Sequence, residues 1–307
     1  MPDLAETDHK QRAYVITGPT SGIGRATAFQ LARHGTIVLV GRDPRKLDDV
    51  QKTIKKAGGQ ALPVVCDLSE PSSVRKTVQD IVALELSIIG LVNNAGLHQM
   101  RPTKNSVGWD LTFATNHLGP FALTEGLAPH MAEGGNLVFV VSGVEDPERK
   151  PAVLAGFRGG RYISAEASAR GEWKAGGSAL PGGDAYATSK QCNLATVLAF
   201  ARDRRLHFNA VEPGFTPSSG LSREAGPVLR FLLKYVLPLF APIVKYWSTP
   251  KRAAAVITKV VTDKSGATGV YYDDAGRPMQ GSSQVRDPEF AERVVRETRG
   301  LLKQAAL

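Results

Sequence analysis

Five short runs rich in Val, Ile and Leu alternate with stretches of helical character over the first 142 residues, and this alternation limits the chain to few folds. The runs are 13–18 (AYVITG), 36–41 (TIVLVG), 61–67 (ALPVVCD), 88–93 and 136–142 (NLVFVVS). Helices are expected over 22–34, from Pro44 to Gly58-Gly59, over 70–86 and around 109–131. Strands this continuously apolar are buried on both faces, as in a parallel sheet covered by helices. Strand–helix–strand units of this kind wind right-handedly into an α/β Rossmann fold, a doubly wound parallel sheet of about seven strands. A helix near 184–204, a strand at 206–212, a helix at 250–262, a strand near 269–272 and a helix near 287–303 complete the pattern. The expected organisation is a flexible N-terminus (1–12), one Rossmann-fold domain (13–272) and a C-terminal helical extension (273–307).

Two segments break the alternation. Residues 143–185 carry nine glycines and twelve acidic or basic residues with no clear strand, and a connection this long is usually functional or disordered. Within 215–247, residues 228–247 are apolar at 15 of 20 positions. Arg230, Lys234, Lys245, Pro238 and Pro242 argue against a membrane span there and for a lid, with contact to a membrane surface or a second subunit as further readings. Any of these roofs favours a lipophilic small molecule.

Composition removes other classes. At 42% hydrophobic and 22% charged residues, the 307-residue chain is ordinary globular material. Two cysteines make no disulfide framework and the N-terminus has no apolar signal region, so a cytoplasmic location, at most peripheral to a membrane, is expected. The net charge of +9 is spread among acids without an aromatic-studded basic run, which argues against nucleic acid. Histidines and cysteines show no metal-ligand spacing.

The chemistry begins where the first strand enters Thr17-Gly18-Pro19-Thr20-Ser21-Gly22-Ile23-Gly24. Glycines at this spacing, between strand and helix, allow a tight turn and bring backbone amides and a helix N-terminus against a pyrophosphate. The second strand ends in Gly41-Arg42. With no carboxylate for the ribose hydroxyls and a guanidinium fork in its place, the site is expected to prefer NADP(H) over NAD(H). Asp43, one residue late and before Pro44, reads as a helix cap. Lys46 is a weaker candidate for the same phosphate.

Tyr186 and Lys190 stand four apart on an expected helix and so rise from one face. An ammonium beside a phenol would draw its pKa toward the range useful for acid–base catalysis. Tyr-x-x-x-Lys alone is cheap, at ~0.4 chance matches in a chain of this composition. Its value lies in following a strand that ends in Ser142, at the sheet edge where such folds bind ligands.

These motifs resemble those of the short-chain dehydrogenase/reductase family from about residue 12 to about 272. TGPTSGIG is similar to that family's cofactor turn, and Asn93-Asn94-Ala95-Gly96 to its NNAG motif. Asn116-His117-Leu118-Gly119, Tyr186 to Lys190 with Cys192-Asn193 behind it, and Pro213-Gly214-Phe215 look most like the retinol-dehydrogenase-like and protochlorophyllide-reductase-like branch. The resemblance implies a catalytic set of Asn116, Ser142, Tyr186 and Lys190. It implies cofactor contacts from Gly18 to Gly24, at Arg42, at Asp67 with Leu68, at Asn94, Ala95 and Gly96, at Tyr186 and Lys190, and at Pro213, Gly214 and Ser218. The implied reaction interconverts a carbonyl and an alcohol. Reduction of a C=C bond and a non-catalytic NADP(H) sensor are the alternatives, and a homodimer or homotetramer is the family habit. Gly143, where a second Ser or small residue is common, and the 43-residue span before Tyr186 depart from the pattern.

Overall fold

The computed structural model describes residues 11–202, 205–216 and 248–305. Eight strands form one sheet in the order β3-β2-β1-β4-β5-β6-β7-β8. They are β1 (Arg12–Thr17), β2 (Thr36–Gly41), β3 (Ala61–Val65), β4 (Ser87–Asn93), β5 (Met131–Val140), β6 (His207–Val211), β7 (Tyr271–Tyr272) and β8 (Pro278–Met279). All neighbouring pairs are parallel except β7 and β8. The fold is thus the expected doubly wound α/β domain. The eighth strand, which the sequence pattern does not announce, closes a short hairpin.

Along β1 the side chains alternate between two cores. Tyr14 and Ile16 join the layer under α1 (Gly22–Leu31), α2 (Pro44–Lys56) and α9 (Pro250–Val261), while Val15 joins the opposite layer. That second layer is covered by α3 (Pro71–Val82), α5 (Gly119–Leu127), α8 (Gly183–Phe200) and α11 (Pro288–Gln304). Ile37, Val38 and Leu39 of β2 are wholly buried, and each such side chain contributes roughly 1.5–3 kcal/mol through burial. Helix starts follow local chemistry. Asp43 accepts from the Arg45 and Lys46 amides ahead of Pro44 at the first turn of α2, and Thr249 accepts from Arg252 N before Pro250 opens α9.

The expected helix around 109–131 is instead segmented. Asp110 caps a short α4 (Leu111–Phe113), a π turn runs over Ala114–Leu118, α5 follows, and a 3-10 turn at Ala128–His130 leads directly into β5. Residues 143–185 carry α6 (Lys150–Leu154) and α7 (Ala165–Arg170). The C-terminal helices α10 (Ser283–Arg286) and α11 pack on α8. Residues 1–10, Ser218 and the apolar 228–247 stretch lie outside the described residues. The flanks of the last segment meet, since Ser248 N donates to Phe215 O at 2.9 Å. Among the described residues, no helix is long and apolar enough to cross a membrane.

Candidate active site

Strand order reverses at β1, whose neighbours β2 and β4 lead away in opposite directions, and the C-terminal ends of these strands border a crevice. The glycine turn fills its floor. Gly18 adopts φ +68° and donates its amide to Val40 O at 2.9 Å. A methyl group at Gly24 would overlap the Gly18 carbonyl and the Asn94 side-chain amide, so only glycine fits. Thr17 ties the turn to the NNAG segment. Its hydroxyl accepts from Asn94 N at 3.0 Å and Ala95 N at 2.9 Å, and Asn94 Nδ2 donates to Thr17 O at 2.9 Å.

A cavity of about 390 Å³ follows from this geometry. Gly18, Thr20, Ser21, Gly22, Ile23 and Gly24 line one side, Asn94, Ala95 and Gly96 another, and Pro213 borders it too. Arg42 and Lys46 stand at one end. Arg42 is half exposed, with Nη1 3.9 Å from Asp67 Oδ2. Asp67 does not line the cavity; Cys66 and Leu68 on either side of it do. Its carboxylate accepts from Ser69 N at 2.9 Å and Ser69 Oγ at 2.7 Å. Gly214, at φ +73°, lies just past Pro213 and outside the lining. The phosphate-sized cradle and the helix N-terminus fit a dinucleotide.

At the other end Tyr186 and Lys190 line the same cavity from α8. Lys190 Nζ lies 5.7 Å from the Tyr186 ring centre and donates to Val140 O at 2.8 Å. Asn116 is wholly buried in the π turn, a distortion that recurs at functional sites. Its side chain bonds both ways with Leu97, accepting from N at 2.8 Å and donating to O at 2.9 Å, and also donates to Ser189 Oγ. A methyl group at Gly96 would stand 3.4 Å from Asn116 Oδ1 and 3.5 Å from Lys190 Nζ. Ser142 sits two residues beyond β5, half-buried and hydrogen-bonded to Tyr186. The four expected catalytic residues therefore gather at one end of the crevice, although Asn116 and Ser142 stand behind the lining.

The electrostatics differ from the expectation that Lys190 draws Tyr186 down. Burial pushes the Tyr186 phenol up to about 12; the Ser142 hydrogen bond pulls it back and the Glu212 carboxylate adds to the rise. Burial also lowers Lys190 to about 8. For both groups desolvation is the leading cause, and it opposes the charged form of each.

Other residues join the site through contacts that the motifs do not show. His117 is wholly buried, with Nδ1 3.0 Å from Asn193 Oδ1 and Nε2 3.0 Å from Thr298 Oγ1. Asn193 Nδ2 in turn donates to Asn116 O at 2.8 Å, so α8 through Asn193 and α11 through Thr298 both brace the π turn. His117 and Asn193 stand in the quoted motifs, but their contact across 76 residues is not readable from them. The 143–185 segment folds onto the reacting end: Phe157, Val144 and Leu180 pack with Tyr186, and His98 lies 5.3 Å from the Tyr186 ring.

Comparison with known proteins agrees with this geometry. The family described as short chain dehydrogenase matches residues 12–151. A protochlorophyllide reductase from Avena sativa is 31% identical over 310 residues, covering 91% of this chain and 96% of the relative. A crystal structure of an uncharacterised protein from Mycobacterium paratuberculosis superposes with a TM-score of 0.66 at 26% identity, over 96% of this chain and 94% of the other. A short chain dehydrogenase from Burkholderia cenocepacia, solved in complex with NADP, has a TM-score of 0.61 at 21% identity over 86% and 96% of the two chains.

Proposed function

The chain belongs to the short-chain dehydrogenase/reductase family and is an NAD(P)-dependent oxidoreductase, and from that premise we propose that it uses NADP(H) to interconvert a carbonyl and an alcohol on a lipophilic small molecule. One observation carries the reading: Tyr186 and Lys190 close one end of a crevice whose floor is the glycine turn and whose far end holds Arg42. NADP(H) would supply or accept the hydride there. Gly18 and Thr20 to Gly24 would present amides to the pyrophosphate, Arg42 and Lys46 would hold the 2′-phosphate, and Leu68 with the neighbouring Asp67 would border the adenine. Asn94, Ala95 and Gly96, with Pro213 and Gly214, would hold the rest of the nucleotide; the contact expected at Ser218 lies outside the described residues.

Ser142 holds the substrate oxygen toward Tyr186, which gives the proton to that oxygen or removes it. Lys190 stabilises the phenolate by its charge, and Asn116 fixes the backbone at Leu97 and orders the path by which Lys190 exchanges protons. The apolar packing of Val144, Phe157 and Leu180 against Tyr186 supports a lipophilic substrate. The name of the Avena relative favours a second reading, reduction of a C=C bond, for which the same Tyr and Lys would serve.

Both readings are tested by one panel: medium-chain aldehydes and ketones, small polar aldehydes, and cinnamaldehyde, which offers a C=O and a C=C to the same enzyme. Cinnamyl alcohol as product, lost in Tyr186→Phe, is expected. The saturated aldehyde would select the second reading, and faster turnover of the polar aldehydes would sink the lipophilic assignment. Tight NADPH binding without turnover of anything would revive the sensor alternative.

A further inference from the structure

Directly behind Ser142 the chain does something that the glycine following it makes room for. Arg149, from the turn that enters α6, reaches back across Gly143, and a methyl group there would overlap the guanidinium, with Cζ at 2.8 Å. Gly143 needs no unusual backbone angle; the space is what the missing side chain provides. Arg149 Nη2 then donates to Glu212 Oε2 at 2.6 Å, and the pair is largely buried, with side-chain exposures of 20% and 11%. Glu212 Oε1 accepts from Gly143 N at 3.3 Å, and Glu212 N donates to Tyr272 O at 2.8 Å. One carboxylate thus joins three elements: the turn after Ser142, the end of β6 just before Pro213, and the inserted segment.

We propose that Arg149 and Glu212 are positioning residues for the reaction, a buried ion pair that clamps the Ser142–Gly143 turn and offsets the carboxylate charge held there by Gly143 N, next to the serine that bonds Tyr186. The second half of this assignment rests on the reading of Tyr186 as the acid–base. The groups around Tyr186 are Lys190 on its own helix, His98 from the loop after β4, Ser142 after β5 and Glu212 at the end of β6. Those around Glu212 are Arg149, Asp274, Glu145 and Tyr271. Asp274 is paired with Arg252 at 3.4 Å, and Glu145 is bonded to Ser282 N and Oγ at 2.9 and 2.7 Å. Arg149 is therefore the cation in contact with Glu212 among the described residues. Burial raises Glu212 and the arginine counters that rise, consistent with a carboxylate kept charged by its partner.

The geometry also gives the insertion a reason to be where it is. Its first turn is fixed to the sheet through Arg149, so the apolar residues that follow (Phe157 and Leu180) return to Tyr186 rather than spreading over solvent. A second serine in place of Gly143 would push the guanidinium out and leave Glu212 without the cation it contacts. This ties one departure from the family pattern, Gly143, to the other, the long span that carries Arg149.

The test uses the full chain carrying 3,5-difluorotyrosine at position 186, whose phenol ionises near neutrality, and follows its 19F shift against pH. In Glu212→Gln the Arg149 cation is left without its carboxylate, and the Tyr186 midpoint is expected to fall by about half a unit or more. Adding Arg149→Gln to that variant is expected to move the midpoint back toward the parent. A role confined to holding the turn predicts otherwise. An unshifted or raised midpoint in Glu212→Gln would overturn the proposal, as would a double variant that stays with the single one or falls further. Near-ultraviolet circular dichroism on each variant confirms that the fold survives. Because the titration needs neither substrate nor nucleotide, it is independent of the activity panel. An inactive parent with these shifts refutes the reaction and keeps the clamp; an active parent without them does the reverse.

Discussion

Arg42→Asp tests the cofactor assignment at the residue proposed to distinguish the two nicotinamide nucleotides. A charge-assisted Arg–phosphate contact contributes roughly 1.5–3 kcal/mol. The Arg42 side chain is 52% exposed, so the lower end, about 1.5 kcal/mol, is the better figure. The substitution also sets a carboxylate beside the phosphate and beside Asp67, worth about another 1 kcal/mol of repulsion. Together these remove about 2.5 kcal/mol from the NADPH complex, close to a hundredfold in kcat/KM. NADH loses nothing, and the new carboxylate can accept its ribose hydroxyls, as an acid at this point does in related sites. The NADPH/NADH ratio of kcat/KM should therefore fall about a hundredfold or more, measured with one carbonyl substrate at fixed ionic strength. Asp43 still caps α2, so melting temperature should hold. A ratio unchanged within about twofold would refute the phosphate assignment for Arg42.

Gly24→Ala places a methyl on the Gly18 carbonyl and the Asn94 amide, and is expected to abolish NADPH binding by fluorescence titration while the protein stays folded. Burial lowers His117 to about 4. Its neutral form is thus favoured by folding, and the stability it contributes is present above about pH 6.5 and lost as pH falls through about 4. His117→Gln should flatten that part of the acid limb of a urea-unfolding series, and an unaltered limb would count against it. Glu145 has the opposite sign, because burial raises it to about 7. Its contribution is present below its ordinary value of 4.5 and lost as pH rises through about 7, so Glu145→Gln should reduce the loss of stability between those limits.

The fold was largely legible because its information is local and repeated. Ile37 to Val40 announce a strand buried on both faces by their run of branched side chains, and Asp43-Pro44 announce the next helix by capping chemistry. What local pattern could not show was where a helix changes period. Residues 109–131 read as one helix, whereas the π turn at Ala114–Leu118 depends on partners far away: Asn193 on the Asn116 carbonyl, and Thr298 on His117. The π turn is specified by those contacts, not by the propensities of Ala, Thr, Asn, His and Leu. β8 was missed for a similar reason, since two residues paired with β7 leave no period to detect.

For the site, the cleanest sequence signals came from positions where backbone geometry admits one residue, such as Gly18 and Gly24, or where two groups share a helix face, as Tyr186 and Lys190 do. Charge balance was not legible in the same way. Tyr186 and Lys190 read as a pair in which the ammonium lowers the phenol, but both are buried, and burial opposes either group becoming charged. Glu212 adds a carboxylate that no spacing rule brings near Tyr186, because it arrives from β6 across the sheet. Its cation arrives from the insertion, the segment whose sequence said least. Ionisation at a site of this kind therefore follows first from burial and the Ser142 hydrogen bond, and then from a carboxylate that the catalytic motif does not contain. The motif names the candidate acid–base, while the charge around it also depends on how Arg149 and Gly143 hold the Glu212 carboxylate.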